Sequence, residues 1–182
     1  PMNSAPAHHL CPLFSEEQID VMLTDMARAI DHQLGDQPYI LLGLLNGARP
    51  MMDKLCPKLR SSPEVRLIKT SSYEGTTSTG KIKWSGEWGT IPQDTPILIV
   101  DDVLDTGNTL FAIKEELVKR GASKILTAVA VDKPARRTQK LNADFFGFRI
   151  DDHFIVGFGM DFNGAYRELP YIAIVEFDKS AD

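Results

Sequence analysis

Residues 97–110, ILIVDDVLDTGNTL, are the part of the sequence that is most informative about the fold. This stretch begins with a hydrophobic run, residues 97–100, that is typical of a strand buried on both faces. Two adjacent carboxylates, Asp101 and Asp102, come at its end, and a small polar loop then opens a helix. Because ligands bind beyond the carboxyl ends of the strands in open parallel sheets, the stretch predicts an α/β protein with a binding site here.

Outward from this stretch, the hydrophobic pattern predicts a series of strands and helices. Ser15 and Gln18 form a capping box at the start of a helix over residues 16–34. Further helices are predicted at residues 50–59 and 109–120, and buried strands at 39–45, 65–71, 97–101 and 125–131. Two successive strand-helix-strand units imply a mostly parallel central sheet flanked by helices. Shorter strands, some of them antiparallel, are expected at residues 81–84, 145–150, 154–158 and 171–175, and residues 72–80 read as a polar loop.

Composition narrows the class of protein. The 182 residues are 43% hydrophobic and carry 20 Lys plus Arg against 25 Asp plus Glu, which gives a net charge of −5. One domain with an irregular cap is expected, with residues 1–13 as a loose arm. The acidic balance argues against a nucleic-acid surface, and no apolar run is long enough to span a membrane. Two cysteines are too few for a disulfide framework, so a reduced, cytoplasmic protein is expected.

The loop after the two carboxylates has the character of a phosphate site. Backbone N–H groups at a helix N-terminus bind anions, Gly107 permits close approach, and the hydroxyls of Thr106 and Thr109 add donors. The Walker loop and the dinucleotide fingerprint are both absent. Carboxylates beside a phosphate cradle make sense if they bind sugar hydroxyls or Mg²⁺.

This stretch resembles the 5-phosphoribosyl 1-pyrophosphate (PRPP) signature of the type I phosphoribosyltransferases. The resemblance extends to the hypoxanthine-guanine phosphoribosyltransferases from about residue 39 to residue 175. LLGLLNGARP is similar to that family's pyrophosphate loop, SSYEGTTSTG to its mobile loop, and VDKP with DHFIVGFGMDFNGAYRELP to its purine-binding region. The resemblance implies a purine salvage enzyme that joins a 6-oxopurine to PRPP and releases pyrophosphate.

For the signature itself, the resemblance implies that Asp101 and Asp102 hold the ribose hydroxyls and share a Mg²⁺ ion with pyrophosphate. A solvated acidic turn is the alternative. Asp105 is expected to be the general base near the purine, although it could instead be a helix N-cap. The loop from Thr106 through Gly107 and Asn108 to Thr109 is expected to bind the 5′-phosphate.

The pyrophosphate loop is expected to act through Leu45, Asn46 and Gly47. The family often has a basic residue where this chain has Asn46, so backbone N–H groups would do the binding. The peptide before this position can be cis in the family, while an ordinary strand-helix turn is the alternative. Ser72 and Tyr73 match the mobile loop that closes over the site, although a disordered loop predicts the same composition.

In the purine-binding region, Lys133 matches the lysine that donates to the 6-oxo group. Phe154 matches the aromatic residue that stacks on the base, with a core position as its alternative, and Ile155 matches the residue whose backbone reads the purine edge. Asp161 matches the carboxylate of a second Mg²⁺ site in this region. Arg167 matches the guanidinium on pyrophosphate, and Arg137 is a weaker candidate because Arg136 could be the true match.

Residues 1–182 are thus expected to form one phosphoribosyltransferase domain whose hood comes from the N- and C-terminal segments, assembled as a homodimer or homotetramer. Two rival functions share the signature. A PRPP-binding transcriptional regulator would need a basic surface or an added nucleic-acid module, and we expect neither from this acidic sequence. A phosphoribosyltransferase for xanthine or a pyrimidine is the other, and the sequence does not rank hypoxanthine, guanine and xanthine.

Overall fold

The structure is a computed structural model that describes residues 5–72 and 82–179. Its strands are β1 (His8–Phe14), β2 (Ile40–Leu45), β3 (Glu64–Ser72), β4 (Ile82–Ser85), β5 (Ile97–Leu104), β6 (Ile125–Asp132), β7 (Phe145–Arg149), β8 (Ile155–Val156) and β9 (Ile172–Phe177). Its α-helices are α1 (Glu16–Leu34), α2 (Arg49–Leu55) and α3 (Asn108–Lys119).

Six strands form the main sheet in the order β4-β3-β2-β5-β6-β7. All neighbours are parallel except β4, which returns antiparallel along β3 as the sequence predicts. The units β2-α2-β3 and β5-α3-β6 supply the two predicted crossovers. The prediction of a mostly parallel sheet flanked by helices is confirmed.

The helices cover the two faces of this sheet. Helix α1 begins at the predicted capping box, where Gln18 N donates to Ser15 Oγ and Ser15 N donates to Gln18 Oε1. Its buried stripe, which includes Leu23 and Ile30, joins one core cluster, whereas Leu110 and Ile113 of α3 join another. The sheet therefore lies between two hydrophobic layers.

A second sheet, in the order β1-β9-β8, stands beside the first and is antiparallel. The expectation of a loose N-terminal arm is wrong for the described part of it, because β1 pairs with β9 from His8 opposite Phe177 to Phe14 opposite Ile172. The ring of Phe14 also stacks on Phe148 of β7, with 3.8 Å between centroids. This contact ties the second sheet to the main one.

Three other elements differ most clearly from prediction. The helix expected at 50–59 is α2 followed by a 3₁₀ turn at Cys56–Lys58. The strand expected at 154–158 is reduced to β8, because Gly157 and Phe158 turn the chain with φ values of 91° and 48°. Strand β5 extends to Leu104, three residues further than expected. None of the helices in residues 5–72 and 82–179 is long and apolar enough to cross a membrane.

Candidate active site

The site lies where the main sheet divides. Strands β2 and β5 pair only as far as Gly43 opposite Val100, whereas β5 remains paired with β6 as far as Leu104 opposite Asp132. A cleft therefore opens between β2 and β5 at the point where the strand order reverses, which is where ligands bind in open α/β sheets. This cleft forms a pocket of about 350 Å³. Its lining includes the predicted residues Leu45, Asn46, Gly47, Asp101, Asp102, Asp105, Thr106, Gly107, Thr109, Asp161 and Arg167.

Asp101 and Asp102 form a tightly coupled acidic pair at the centre of the cleft. They lie within β5 and are half-buried, so the alternative of a solvated turn is wrong. Burial, and then the negative charge of Asp102, raises the pKa of Asp101 well above its usual range. Burial also raises the pKa of Asp102, although the N–H of Val103 and the charge of Arg167 oppose the shift. The pair favours a ligand that brings positive charge or hydroxyl donors.

The loop after β2 is packed directly against this pair. A Cβ atom on Gly47 would lie 2.7 Å from Cγ of Asp102, so any residue other than glycine would displace this carboxylate. A Cβ on Gly159 would lie 3.0 Å from the carbonyl carbon of Gly47. The peptide between Leu45 and Asn46 is cis, as the resemblance implies. Three chain segments distant in sequence thus meet around one carboxylate.

Helix α3 points its N-terminus into the same pocket. Gly107, with a φ of 90°, is the N-cap, and Asn108 N donates to Thr106 Oγ1 over 3.3 Å. The alternative that Asp105 caps the helix is therefore wrong. The N–H groups of a first helical turn have no intrahelical partners, so this end of α3 is suited to an anion.

Asp105 lies between this pocket and a second one. Its Oδ1 atom is buried and has no hydrogen-bond partner among the described residues. Its Oδ2 atom lies 4.0 Å from Nζ of Lys133, which is 7% exposed and lies 3.8 Å from Asp152 Oδ1. Because an unpaired buried carboxylate oxygen is unfavourable, Asp105 is placed to accept a proton or a hydrogen bond from a ligand.

The second pocket, of about 720 Å³, lies between the main sheet and the β1-β9-β8 sheet. It shares Asp102, Asp105 and Asp161 with the first pocket, so the two form a continuous site. The predicted purine residues all line it: Lys133, Phe154, Ile155 and Asp161. Phe154 is 45% exposed, so the alternative that it belongs to the core is wrong. Its ring meets Phe162 edge to face, with 5.4 Å between centroids.

Arg167 and Asp161 are joined across the mouth of the first pocket. Nη2 of Arg167 lies 3.2 Å from Oδ1 of Asp161, and its Nε donates to the carbonyl of Gly159. Oδ2 of Asp161 accepts from the N–H of Gly164. The guanidinium is thus held next to the acidic pair, where it can meet an anionic ligand.

The remaining predicted residues have different positions relative to the two pockets. The side chain of Asn108 accepts hydrogen bonds from Thr138 Oγ1 and Gln139 Nε2, behind the phosphate loop. Arg136 lines the second pocket, whereas the guanidinium of Arg137 is directed at backbone carbonyls behind the loop. Ser72 is placed as the last residue of β3, and Tyr73 lies outside the described residues.

Several lining residues of the second pocket escape sequence reasoning. They are Asp152, His153, Met160, Ile174, Val175, Glu176 and Phe177. Strand β9 contributes four of them. The alternation of apolar and polar residues in a short strand does not show which pocket the strand faces. Within residues 5–72 and 82–179, no group of three or more His, Cys, Asp and Glu side chains is arranged to hold a metal ion.

Comparison with known proteins gives the class. A family model of the phosphoribosyl transferase domain matches residues 15–163, so the chain belongs to the phosphoribosyltransferase family. Within that family it is similar to the hypoxanthine-guanine phosphoribosyltransferases. The protein of that name from Staphylococcus epidermidis is 34% identical over 165 residues, which cover 90% of this chain and 92% of the relative. That from Streptococcus mutans is 31% identical over 167 residues, or 91% and 93% of the two chains.

Solved structures give the same result. A hypoxanthine phosphoribosyltransferase from Staphylococcus aureus superposes with a TM-score of 0.85 and 30% identity, covering 97% of each chain. A hypoxanthine-guanine phosphoribosyltransferase from Bacillus anthracis gives 0.83 and 27%, covering 93% of this chain and 99% of the other. The family and the fold predicted from the sequence are confirmed.

Proposed function

We propose that this protein transfers the 5-phosphoribosyl group of PRPP to a 6-oxopurine, giving the nucleoside 5′-monophosphate and pyrophosphate. One observation carries the proposal. Asp105 joins a pocket that has an acidic pair and a helix N-terminus to a pocket that has a buried lysine and an exposed aromatic ring. Such a site can hold a phosphorylated sugar and a base side by side. The relatives named for this activity support the same conclusion.

On the sugar side, we assign the 5′-phosphate to the N-terminus of α3, at Thr106, Gly107, Asn108 and Thr109, through backbone N–H groups and the threonine hydroxyls. Asp101 and Asp102 accept hydrogen bonds from the two ribose hydroxyls, because ionised carboxylates are acceptors only. Leu45, Asn46 and Gly47 contact the pyrophosphate through their backbone.

The acidic pair also fits Mg²⁺, which is bound in such sites by one or two carboxylates and completes its shell with phosphate oxygens and water. When bound, Mg²⁺ supplies the positive charge that stabilises the leaving pyrophosphate. Asp161 would hold a second ion, and Arg167 beside it would neutralise pyrophosphate directly. Chelation with EDTA should abolish activity, and added Mg²⁺ should restore it.

On the purine side, the ammonium of Lys133 donates to the 6-oxo group, which adenine lacks. Phe154 stacks on the base, and the backbone of Ile155 in β8 reads its edge. The unpaired Oδ1 of Asp105 accepts the purine proton as the bond to the sugar forms. We also assign Ser72, the last residue of β3, and Tyr73, which lies outside the described residues, to contact with PRPP, as the family resemblance implies.

Residues 1–182 then act as one domain, with β1, β8 and β9 as its hood over the purine. We place the enzyme in the cytoplasm, since Cys11 and Cys56 are free thiols, and expect a homodimer or homotetramer from the family. Analytical ultracentrifugation would measure the assembly state.

A spectrophotometric assay with PRPP and Mg²⁺ tests the proposal against hypoxanthine, guanine, xanthine and adenine. We expect turnover of hypoxanthine or guanine and little of adenine. Asp105→Asn should lower kcat about 100-fold without unfolding the protein. Lys133→Met should raise KM for the 6-oxopurines while leaving KM for PRPP nearly unchanged.

Each negative result has a distinct meaning. Absence of product from every 6-oxopurine would refute the enzyme and favour a PRPP-binding regulator. Adenine as the best substrate would remove the role of Lys133, and a marked preference for xanthine would redirect the assignment to that base.

A further inference from the structure

The back of the phosphate loop is held by residues 137–141, which we call the bracing segment. Thr138 N donates to the carbonyl of Thr106 over 2.9 Å, and Gln139 N donates to the same carbonyl over 3.3 Å. Thr138 Oγ1 and Gln139 Nε2 both donate to Oδ1 of Asn108, over 3.0 and 3.1 Å. The loop thus has one side free for a ligand and the other side bonded to this segment.

Arg137 makes the most extensive of these contacts. Its Nε donates to the carbonyl of Asp105 over 3.0 Å, its Nη1 to the carbonyl of Leu141 over 3.1 Å, and its Nη2 to the carbonyl of Leu104 over 3.4 Å. Nη2 also donates to Asp132, so four of the five guanidinium N–H groups have a partner within the chain. The side chain is 14% exposed.

Asp132 fixes the position of this guanidinium. It ends β6, its residue is 3% exposed, and it accepts from Arg137 on one oxygen and from Arg149 Nε, at 3.0 Å, on the other. A buried carboxylate flanked by two guanidinium groups is firmly oriented. The charge of Arg137 is therefore balanced inside the protein, and its fork is aimed at the two residues that end β5 and begin the loop.

The loop also packs on the stem of Arg137. A Cβ atom on Gly107 would lie 3.3 Å from Cδ of Arg137 and 3.4 Å from a methyl of Leu141. The close approach of Gly107 is thus made toward the bracing segment as well as toward the ligand. Arg137 can leave this position only if several carbonyls lose their donors, which is costly in a partly buried place.

We propose that Arg137 is a positioning residue, which fixes the backbone of Asp105 and the phosphate loop, and not a ligand of pyrophosphate. The inference rests on the proposed function for its kinetic consequence, but its structural part concerns the ligand-free protein. A positioning role predicts that loss of the guanidinium loosens residues 104–109. A ligand role predicts a loss of pyrophosphate affinity with the loop unchanged.

Hydrogen exchange followed by mass spectrometry distinguishes the two roles. In Arg137→Gln we expect amides of residues 104–109 to exchange at least about 10-fold faster than in the wild type. Arg149→Gln is the matched control, because Arg149 also binds Asp132 but does not contact the loop, and we expect its loop exchange to be unchanged. Arg137→Lys keeps a cation beside Asp132 but lacks the planar set of N–H donors that bonds the loop carbonyls, so it should also loosen the loop. This variant provides the test if Arg137→Gln fails to fold.

Binding and kinetics complete the test. For Arg137→Lys we expect calorimetric affinity for inorganic pyrophosphate with Mg²⁺ within about twofold of the wild type, and kcat lower by about 100-fold, since small misplacements of a catalytic group have effects of that size. Pyrophosphate affinity that falls 10-fold or more with unchanged loop exchange would overturn the proposal. If the wild type catalyses no transfer but the exchange result holds, the proposed function fails while the positioning role stands.

Discussion

Replacement of Gly47 by alanine tests the central contact of the site. Gly47 does not adopt the left-handed backbone conformation, so alanine is tolerated by the backbone and only its Cβ matters. That atom would lie 2.7 Å from Cγ of Asp102 and closer still to its Oδ2, whereas ordinary contact begins at 3.4 Å, so the carboxylate must retreat by more than 0.7 Å. Overpacking of this kind costs about 1–3 kcal/mol of folding free energy. Because Asp102 is assigned to a ribose hydroxyl, we expect kcat/KM for PRPP to fall by about 100-fold.

The assay combines urea unfolding with steady-state kinetics in a double-mutant cycle. In the background of Asp102→Ala, the added methyl has no carboxylate to displace, so Gly47→Ala should then cost little stability. Gly43→Ala is the control, since its Cβ meets the terminal carbon of Met52 in the core at the same 2.7 Å. It should lower stability but leave kcat/KM of the folded enzyme unchanged. An equal loss of stability for Gly47→Ala in both backgrounds, or full activity, would refute the reasoning.

Three further predictions concern stability. Ser15→Ala should lower the free energy of unfolding by about 1 kcal/mol in urea titration, because the capping box of α1 loses its hydroxyl, and no change would mean that the cap is dispensable. Leu23→Ala should cost about 2–5 kcal/mol in the same titration, because Leu23 is fully buried and leaves a cavity, and a loss below 1 kcal/mol would show that the core closes around it. Hydrogen bonds to Asp178 and Glu176 raise the pKa of His9 above its usual 6.5. Protonated His9, bonded to these two carboxylates, therefore stabilises the folded state below its unfolded pKa of 6.5, and this contribution is lost as the pH rises through the raised folded pKa. The Tm advantage of wild type over His9→Asn should shrink over that rise in pH, and a constant difference would contradict the pairing.

The parts of the fold that the sequence predicts correctly carry strong local signals. β2 and the first four residues of β5 are continuous apolar runs, α1 has its capping box, and each is recognisable without knowledge of its neighbours. β1 is different, because HHLCPLF has only a weak alternation and its partner β9 follows more than 160 residues later. Its strand structure depends on a tertiary pairing that a local pattern does not contain.

The site, too, has residues that the sequence predicts and residues that depend on tertiary structure. The acidic pair and the phosphate loop are contiguous in sequence, so one stretch predicts their proximity. The alternative cap role of Asp105 is excluded only by the backbone at Gly107, whose φ of 90° makes it the N-cap. Glu176 and Phe177 line the second pocket because of the register in which β9 pairs with β1. The sequence does not predict that register.

The pairing of β1 with β9 has a topological consequence. It joins residues up to 169 positions apart, as between His9 and Asp178, and so closes a loop that contains all six strands of the main sheet. Loop-closure entropy grows by about 0.6 kcal/mol per doubling of length, so the same pairing made as a short hairpin would require roughly 3 kcal/mol less. In a circular permutant in which a turn connects β9 to β1, the pairing of these two strands beside the second pocket would become a local contact. The folding rate of this permutant would show whether closure of the long loop limits the folding rate of the natural chain.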